Sequence, residues 1–243
     1  MCTVVFIPQK DSQYFASLRD ENTLRQKALQ PRSFYTGSIK YIAPVDTMSG
    51  GTWVGVNENG NVIVLLNGGF KNHPKKDRDA ASRGLIVKEL LTDTTPVVGW
   101  ELMKLSNIEP FTLIVWAGKK LFQLVWDGKI KHRIHLPQNK AHIFSSVTLY
   151  NNKATHNRTA LFNSWIATDP FLCAGSLLDF FKAKDDLENG FIINRRDNIK
   201  TLSYTFIQVN RDAASMSYQD FTTGLHKNSK LSLSATEPFC LCC

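Results

Sequence analysis

The sequence predicts an α+β fold in which antiparallel sheets are covered by helices. Three observations lead to this prediction. Strand patterns and helix patterns occur in separate runs instead of alternating strictly along the chain. The 243 residues contain no internal repeat and no linker rich in Pro, Gly and Ser, so we expect residues 1–243 to form one domain. Two sheet regions and two groups of helices suit an α-β-β-α sandwich, although the pattern alone also fits other α+β folds.

The first strands are short runs of β-branched and aromatic residues bounded by turn residues. They cover Thr3–Ile7, Tyr14–Leu18, Thr52–Asn57 and Val62–Asn67. The first two are expected to pair as a hairpin. The last two flank a second hairpin turn, in which Asn59 and Gly60 are expected to supply left-handed residues.

The later elements are predicted from periodicity and from helix start signals. The expected helices are one capped by Ser82 that reaches Leu91, then Val97–Leu105, Thr155–Ala167 and one capped by Asp169 with Pro170 in its first turn. The expected strands are Phe111–Trp116, Leu121–Trp126, Ile130–Leu136, Ile143–Leu149, Leu202–Val209 and Ser215–Phe221. The end of the chain is weakly patterned.

Composition excludes several classes of protein. No stretch approaches the roughly 18–20 apolar residues of a transmembrane helix, and the start of the chain lacks the charged and apolar segments of a secretory signal. We therefore expect a cytoplasmic protein without a transmembrane segment. The net charge of +8 favours anionic partners, but no nucleic-acid-binding module is recognisable, so we expect no nucleic acid partner.

Cysteine and histidine spacing gives no sign of a metal centre. Cys2 and Cys173 are isolated, and the other three cysteines lie within the last four residues; no spacing resembles a zinc site or a disulfide framework. His132 and His135 lie three apart on an expected strand and so point to opposite faces. We expect no metal and no cofactor.

Cys2 is the first candidate for chemistry. If Met1 is removed, Cys2 carries both a thiol and a free α-amine. The amine titrates at about 7.7–8.0 and can act as a base near neutral pH, and a terminal amine that activates its own side chain is a known nucleophile arrangement. A cysteine at this position usually has no function, so Cys2 needs support from its surroundings.

Two further segments provide that support. Arg19, Asp20 and Glu21 follow the second strand, whose end returns beside Cys2 if the first hairpin forms. An Arg there lowers the pKa of a thiol, and an Asp there holds an ammonium group. Asn67 ends a strand and precedes Gly68 and Gly69, a position from which its amide could bind an oxyanion. An exposed charged turn and an ordinary Asn-Gly turn are the alternatives for these two segments.

These motifs together resemble one family. The sequence is similar to the NRDE family, also called the transport and Golgi organisation protein 2 family, at Met1-Cys2-Thr3, Leu18-Arg19-Asp20-Glu21, residues 50–56, Leu66-Asn67-Gly68 and Ser82-Arg83-Gly84. The resemblance implies an N-terminal-nucleophile (Ntn) hydrolase fold, related to penicillin V acylases and bile salt hydrolases. That fold is a four-layer α-β-β-α sandwich of two antiparallel sheets.

The resemblance also implies roles for individual residues. The implied catalytic residues are Cys2, Arg19, Asp20, Asn67 and Lys200, and the implied substrate-binding residues are Glu21, Trp53 and Ser146. The chain departs from the pattern at Leu18, where the family motif begins with Asn. Ser146 takes the place of a later Asn, and Lys200 that of a late Arg.

Two functions follow as expectations. The first is a cysteine amidohydrolase that cleaves a linear acyl-amide with Cys2 as its N-terminal nucleophile. The alternative is a non-catalytic protein of the same fold that binds or carries a lipid or haem. Because one fold supports many functions, the choice between them depends on the site.

Overall fold

Strands outnumber helices in this protein. The computed structural model describes residues 3–73, 82–183 and 186–234. The strands of these ranges are β1 (Thr3–Pro8), β2 (Ser12–Asn22), β3 (Leu29–Thr36), β4 (Ile39–Val45), β5 (Val54–Asn57), β6 (Val62–Asn67), β7 (Phe111–Ala117), β8 (Lys120–Trp126), β9 (Lys131–Leu136), β10 (His142–Ser145), β11 (Ile199–Asn210), β12 (Ala213–Asp220) and β13 (His226–Ser232). The helices are α1 (Arg83–Leu91), α2 (Pro96–Leu102), α3 (Asn152–Ile166) and α4 (Ala174–Lys182). None of these helices is both long enough and apolar enough to cross a membrane.

A six-stranded antiparallel sheet has the order β10-β1-β2-β11-β12-β13. The predicted hairpin of β1 and β2 is confirmed, with Thr3 opposite Leu18 and Pro8 opposite Gln13. Strand β11 runs along the other edge of β2, and the register shifts between Thr201 and Ser203, which is a bulge that bends the strand locally. As a result, β1 begins, β2 ends and β11 begins at the same end of this sheet.

A seven-stranded sheet contains β3 to β9 in chain order, so each strand pairs with the next. The predicted turn between β5 and β6 is present, but the expectation of two left-handed residues was wrong. Gly60 has a φ of +73°, whereas Asn59 is not left-handed. The turn closes differently because the Asn57 side-chain oxygen accepts a hydrogen bond from the Asn59 N–H at 3.1 Å.

Alternating residues of the six-stranded sheet enter two different hydrophobic cores. Val4 and Phe6 belong to the core between the sheets, whereas Val5 and Ile7 pack with residues of α3 and α4 on the opposite face. Helices therefore cover the outer face of this sheet.

The seven-stranded sheet is covered on both faces in the same way. The ring of Trp116 lies 5.8 Å from that of Phe6 across the space between the sheets. Phe111 lies five residues earlier on β7, and its ring centre is 5.7 Å from that of Trp100 of α2. An odd separation along a strand places two side chains on opposite faces, so α2 lies outside. The predicted α-β-β-α sandwich is confirmed.

The first predicted helix start is confirmed and a later one was wrong. Ser82 caps α1 by accepting a hydrogen bond from the Gly84 N–H at 3.3 Å. Asp169 caps no helix; it has a φ of +48° and its N–H donates to the Ile166 carbonyl, which is how a helix ends. Helix α3 has its C-cap at Ala167, Asp169 lies in the turn after it, and α4 begins later, capped by Cys173.

Several strands and boundaries were not predicted. No strand was predicted at β3, β4 or β13, and β3 and β13 are mostly exposed, so they lack the apolar alternation of half-buried strands. The strand expected over Ile143–Leu149 ends at Ser145. It ends there because the chain turns at Ser146, whose carbonyl accepts hydrogen bonds from the N–H groups of Leu149 and Tyr150.

Candidate active site

The residues predicted around Cys2 meet at the end of the six-stranded sheet where β1 begins. Met1 and Cys2 lie outside the described residues. Thr3, the next residue, pairs with Leu18 of β2 on one side and with Ser145 of β10 on the other. Since Arg19 and Asp20 directly follow Leu18, both lie close to the beginning of β1.

Arg19 belongs to a group of four charged residues that we call the ion-pair cluster: Arg19, Glu21, Arg25 and Asp46. Arg19 Nη2 lies 3.1 Å from Asp46 Oδ2 and 3.9 Å from Glu21 Oε2. Arg25 binds both oxygens of Asp46, at 2.8 and 3.0 Å. The Arg19 side chain is 4% exposed, so its charge is held in a low-dielectric site by two carboxylates.

These contacts shift the pKa of Asp46. Burial is the largest influence and raises this pKa, but the hydrogen bond and charge of Arg25 and the charge of Arg19 together lower it below its ordinary value. Asp46 also accepts hydrogen bonds from the N–H groups of Met48 and Ser49 at 3.2 and 3.1 Å. Asp46 is therefore anionic at neutral pH and holds both arginines in place.

Trp53, the residue before β5, supports Arg19 from the side of the seven-stranded sheet. The Arg19 guanidinium lies 4.5 Å from the centre of the Trp53 ring, a cation–π contact, and Trp53 is 3% exposed. Trp53 follows Gly51, where a Cβ would lie 2.5 Å from the Gly84 carbonyl carbon. Gly51 and Gly84 thus allow the start of α1 to pack directly against the chain that leads to Trp53.

Four predicted residues line one small cavity of about 90 Å³. Its walls include Arg19, Glu21, Trp53 and Asn67, together with Arg25, Asp46, Ser82, Arg83 and Gly84. Arg83 makes an ion pair with Glu109 at 3.2 Å. Burial lowers the pKa of the Arg83 guanidinium, and the charge of Glu109 opposes this shift.

Asp20 lies in a second group, which we call the Asp20 cluster: Asp20, Tyr150, Arg158 and Thr201. The carboxylate of Asp20 accepts hydrogen bonds from the Tyr150 hydroxyl at 2.9 Å and from the Thr201 hydroxyl at 2.6 Å. Asp20 is 2% exposed. Because consecutive residues of a strand point to opposite faces, Arg19 faces the seven-stranded sheet and Asp20 faces the helices.

Arg158 connects this cluster to β1. Its guanidinium, on α3, donates hydrogen bonds to the Thr3 hydroxyl, the Gly190 carbonyl and the Ser145 hydroxyl. It also lies 4.1 Å above the Tyr150 ring. Arg158 is 2% exposed and takes part in none of the ion pairs between the described residues. A buried cation thus fixes the side chain of the residue that follows Cys2.

Asn67 and Ser146 are joined by a hydrogen bond. The Ser146 hydroxyl donates to the Asn67 backbone carbonyl at 2.7 Å and lies 2.9 Å from the Thr148 hydroxyl. Ser146 is 1% exposed. Ser146 therefore contacts the backbone of Asn67, the last residue of β6.

Lys200 lies apart from the small cavity. It is exposed, it pairs with Glu21 across the β11–β2 ladder, and it lines a larger cavity of about 610 Å³. Arg19 lines both cavities. The larger one lies at the same end of the six-stranded sheet, between the ends of β2 and β12 and the chain after α4.

Five residues of these clusters were not predicted from the sequence: Arg25, Asp46, Tyr150, Arg158 and Thr201. Asp46 carried a usable signal, because an Asp shortly before Ser49-Gly50-Gly51 is typical of a turn closed by its own carboxylate. Arg158 carried none, since a charged residue within a helix is normally exposed. Across the ranges that the structure describes, no three His, Cys, Asp or Glu side chains are grouped so that they could hold a metal ion.

Comparison with known proteins gives a family and a fold. The family model described as Transport and Golgi organisation 2 matches residues 1–226. No curated protein sequence matches the chain.

Solved structures show the same architecture at low identity. The Caenorhabditis elegans N-acylethanolamine-hydrolyzing acid amidase (NAAA) ortholog is 10% identical, with a TM-score of 0.60, and the match covers 85% of this chain and 92% of that one. A variant of conjugated bile acid hydrolase from Clostridium perfringens is 10% identical, with a TM-score of 0.59, covering 98% of this chain and 100% of that one. At such identities the likeness shows the Ntn-hydrolase fold alone.

Proposed function

The chain belongs to the Transport and Golgi organisation 2 family, and we propose that it is a cysteine hydrolase of linear acyl-amides with Cys2 as its N-terminal nucleophile. The observation that supports this most is the position of Thr3. Thr3 follows Cys2 in the chain and pairs with Leu18 of β2. The next two residues of β2 are Arg19 and Asp20, the candidate partners of Cys2.

The proposed reaction has two steps. In the first, the Cys2 sulfur attacks the amide carbon while the Cys2 α-amine takes the thiol proton. The C–N bond then breaks, the proton passes to the leaving amine, and a thioester remains on Cys2. In the second step, a water molecule attacks the thioester, gives up a proton through the same amine, and releases the carboxylic acid and the free thiol.

The neighbouring residues have distinct proposed roles. Arg19 lowers the pKa of the Cys2 thiol through its positive charge, and Asp20 orients the α-amine. Asn67 stabilises the oxyanion; Ser146 supports it through the backbone hydrogen bond. Glu21 and Trp53 contact the substrate from the walls of the small cavity, and Lys200 acts from the rim of the larger one.

The larger cavity offers room for a substrate. Its volume of about 610 Å³ lies within the range of about 300–1,000 Å³ that is typical of small-molecule sites. The solved neighbours with this fold are named for hydrolysing N-acylethanolamines and conjugated bile acids. Those names support an acyl-amide as the substrate class to test first.

The experiment compares the wild type with Cys2→Ala on a panel of acyl-amides that includes N-lauroylethanolamine. We expect release of the free amine by the wild type and none by Cys2→Ala, with an unchanged unfolding midpoint. Cys173→Ser is the matched control, and we expect it to keep full turnover. A thioester trapped on the Cys2 peptide by acid quenching would support the mechanism directly; equal turnover by wild type and Cys2→Ala would overturn it.

A second candidate is a non-catalytic protein that binds a lipid or haem. The observation that favours it is the larger cavity, which joins basic side chains to apolar ones. If this candidate is correct, Cys2→Ala should leave ligand affinity unchanged. Titration of both variants with lauric acid and with haem, beside the amide panel, separates the two functions, because tight binding without turnover in either variant would support the carrier.

Two broader expectations remain predictions. One domain over residues 1–243 is supported by a hydrophobic core that includes residues of both sheets, and a single cooperative unfolding transition would confirm it. The cytoplasmic location is to be tested by fractionating cells that express the full chain.

A further inference from the structure

The larger cavity combines positive charge with an apolar wall. Among the described residues, its lining includes Arg19, Arg25, Lys27, Lys182 and Lys200 but a single acidic residue, Asp220. The charges of the two arginines are balanced within the ion-pair cluster. Among the described residues, no ion pair includes any of the three lysines.

The acidic residue of the lining has its own hydrogen bonds. One oxygen of Asp220 accepts from the Thr222 N–H at 2.7 Å, the Thr222 hydroxyl at 2.6 Å and the Thr223 N–H at 3.0 Å. These bonds close a turn after β12 and direct that oxygen toward the backbone. Among the described lining residues outside the ion-pair cluster, three lysines therefore face one carboxylate.

Apolar side chains line the same cavity beside these lysines. They are Ala28, Leu187, Ile192, Ile193, Leu202 and Phe221. The Lys182 ammonium lies 5.9 Å from the centre of the Phe221 ring. A positive charge therefore lies directly beside the apolar part of the lining. Such a lining suits a ligand with an anionic group and a hydrocarbon part.

The position of Lys200 shows where the anionic group of such a ligand would lie. Lys200 pairs with Glu21, and directly paired residues project from the same face of a sheet. Lys200 therefore shares a face with the proposed catalytic residue Arg19, two residues before Glu21, and both line this cavity. A substrate charge held there must lie only a few bonds from the amide that reacts. The short, amine-derived part of the substrate therefore carries the charge, and the acyl chain occupies the apolar wall.

We propose that the substrate is an acyl-amide whose amine-derived part carries a carboxylate, such as an N-acyl amino acid, and that Lys27, Lys182 and Lys200 select it over a neutral amide. This inference rests on the proposed hydrolase function, because it assigns the substrate class of the same site. The selection is electrostatic, so it weakens as salt screens the lysines.

The test compares N-lauroylglycine with N-lauroylethanolamine, which have the same acyl chain and differ in charge. We expect the wild type to prefer N-lauroylglycine by about tenfold or more in kcat/KM, and this preference to fall with added salt. Lys27→Met combined with Lys182→Met should remove most of the preference through a higher KM for N-lauroylglycine, while turnover of N-lauroylethanolamine stays unchanged. Lys10→Met, at an exposed turn outside the cavity, is the control and should change neither.

The outcomes separate this inference from the proposed function. Equal kcat/KM for the two amides would overturn the charge selection and leave the hydrolase standing. If neither amide is cleaved, calorimetry of N-lauroylglycine binding to wild type and to the double lysine variant decides. Binding that the double variant loses would support the anionic site without hydrolysis, and absence of binding would overturn both proposals.

Discussion

Arg19 and Asp20 are consecutive residues of β2, yet they belong to regions with different electrostatics. In the ion-pair cluster, two arginines and two carboxylates bind each other directly. In the Asp20 cluster, the carboxylate accepts hydrogen bonds from neutral hydroxyls, and the guanidinium of Arg158 binds hydroxyls and carbonyls and stacks on Tyr150. The first region balances its charges internally. The second holds a carboxylate and a cation around Thr3, the residue that follows Cys2.

The strongest way to test this comparison is to remove the buried cation. Arg158→Met should lower the free energy of unfolding by about 3 kcal/mol, because the buried hydroxyls and carbonyls that it binds lose their donor. Urea unfolding measures this change. If a folded Arg158→Met protein also shows a shifted pH profile of turnover relative to Arg158→Lys, Arg158 positions Cys2 through Thr3.

An exposed arginine provides the matched control. Arg133 pairs with Glu101 at 3.3 Å, and its side chain is 53% exposed, so Arg133→Met should change the unfolding free energy by less than about 0.5 kcal/mol. Similar losses for Arg133→Met and Arg158→Met would contradict the role assigned to the buried cation.

The stability contributed by the ion-pair cluster should depend on pH through Asp46. Asp46→Asn should cost about 2 kcal/mol at neutral pH, because it weakens the charged hydrogen bonds with Arg25 and Arg19. The folded-state pKa of Asp46 lies below its ordinary value, so the stabilisation is fully present above about pH 4 and is lost as pH falls through the folded pKa. The difference between wild type and Asp46→Asn, measured by urea unfolding, should therefore shrink below about pH 4.

Asp127 is the control for this pH dependence. Hydrogen bonds from the Ile130 N–H and from His132 lower its pKa to about 2, but Asp127 is a surface carboxylate that solvent screens. Asp127→Asn should therefore destabilise the protein less than Asp46→Asn at neutral pH. A larger effect at Asp127 would mean that the pairing of Asp46 with the arginines contributes little.

The strand pairing behind the two clusters could be predicted from the sequence, but most of their side-chain contacts could not. The hairpin that brings Arg19 and Asp20 to the start of β1 was predictable, because strand alternation and turn residues are local signals. The partners of these residues were not. Tyr150 and Arg158 reach Asp20 and Thr3 from distant segments, and one sequence does not encode such contacts in any local pattern. Asp169 was misread because an Asp before Pro signals a helix start as well as the end of a preceding helix.

The smallest expected effect concerns Cys173, a free cysteine within the described residues. Hydrogen bonds from Ser176 lower the pKa of the Cys173 thiol, and the bond from its backbone N–H has the larger effect. Cys173 could therefore compete with Cys2 for electrophiles. We expect Cys2 to react first under limited alkylation with peptide mapping, because Arg19, on the neighbouring strand, is proposed to lower the pKa of its thiol. Cys173→Ser should change stability by less than about 0.5 kcal/mol, since Ser is a favoured capping residue. Labelling of Cys173 ahead of Cys2 would contradict the activation of Cys2.

In the proposed mechanism Cys2 works with its own α-amine, which requires the loss of Met1. With Met1 attached, the Cys2 nitrogen is an amide without a usable lone pair, and Asp20 would face a neutral N–H instead of an ammonium. The most direct measurement is the intact mass of protein that turns over acyl-amides, isolated from its natural source. The proposed mechanism predicts a mass without Met1. A mass that includes Met1 on active protein would contradict the N-terminal-nucleophile mechanism.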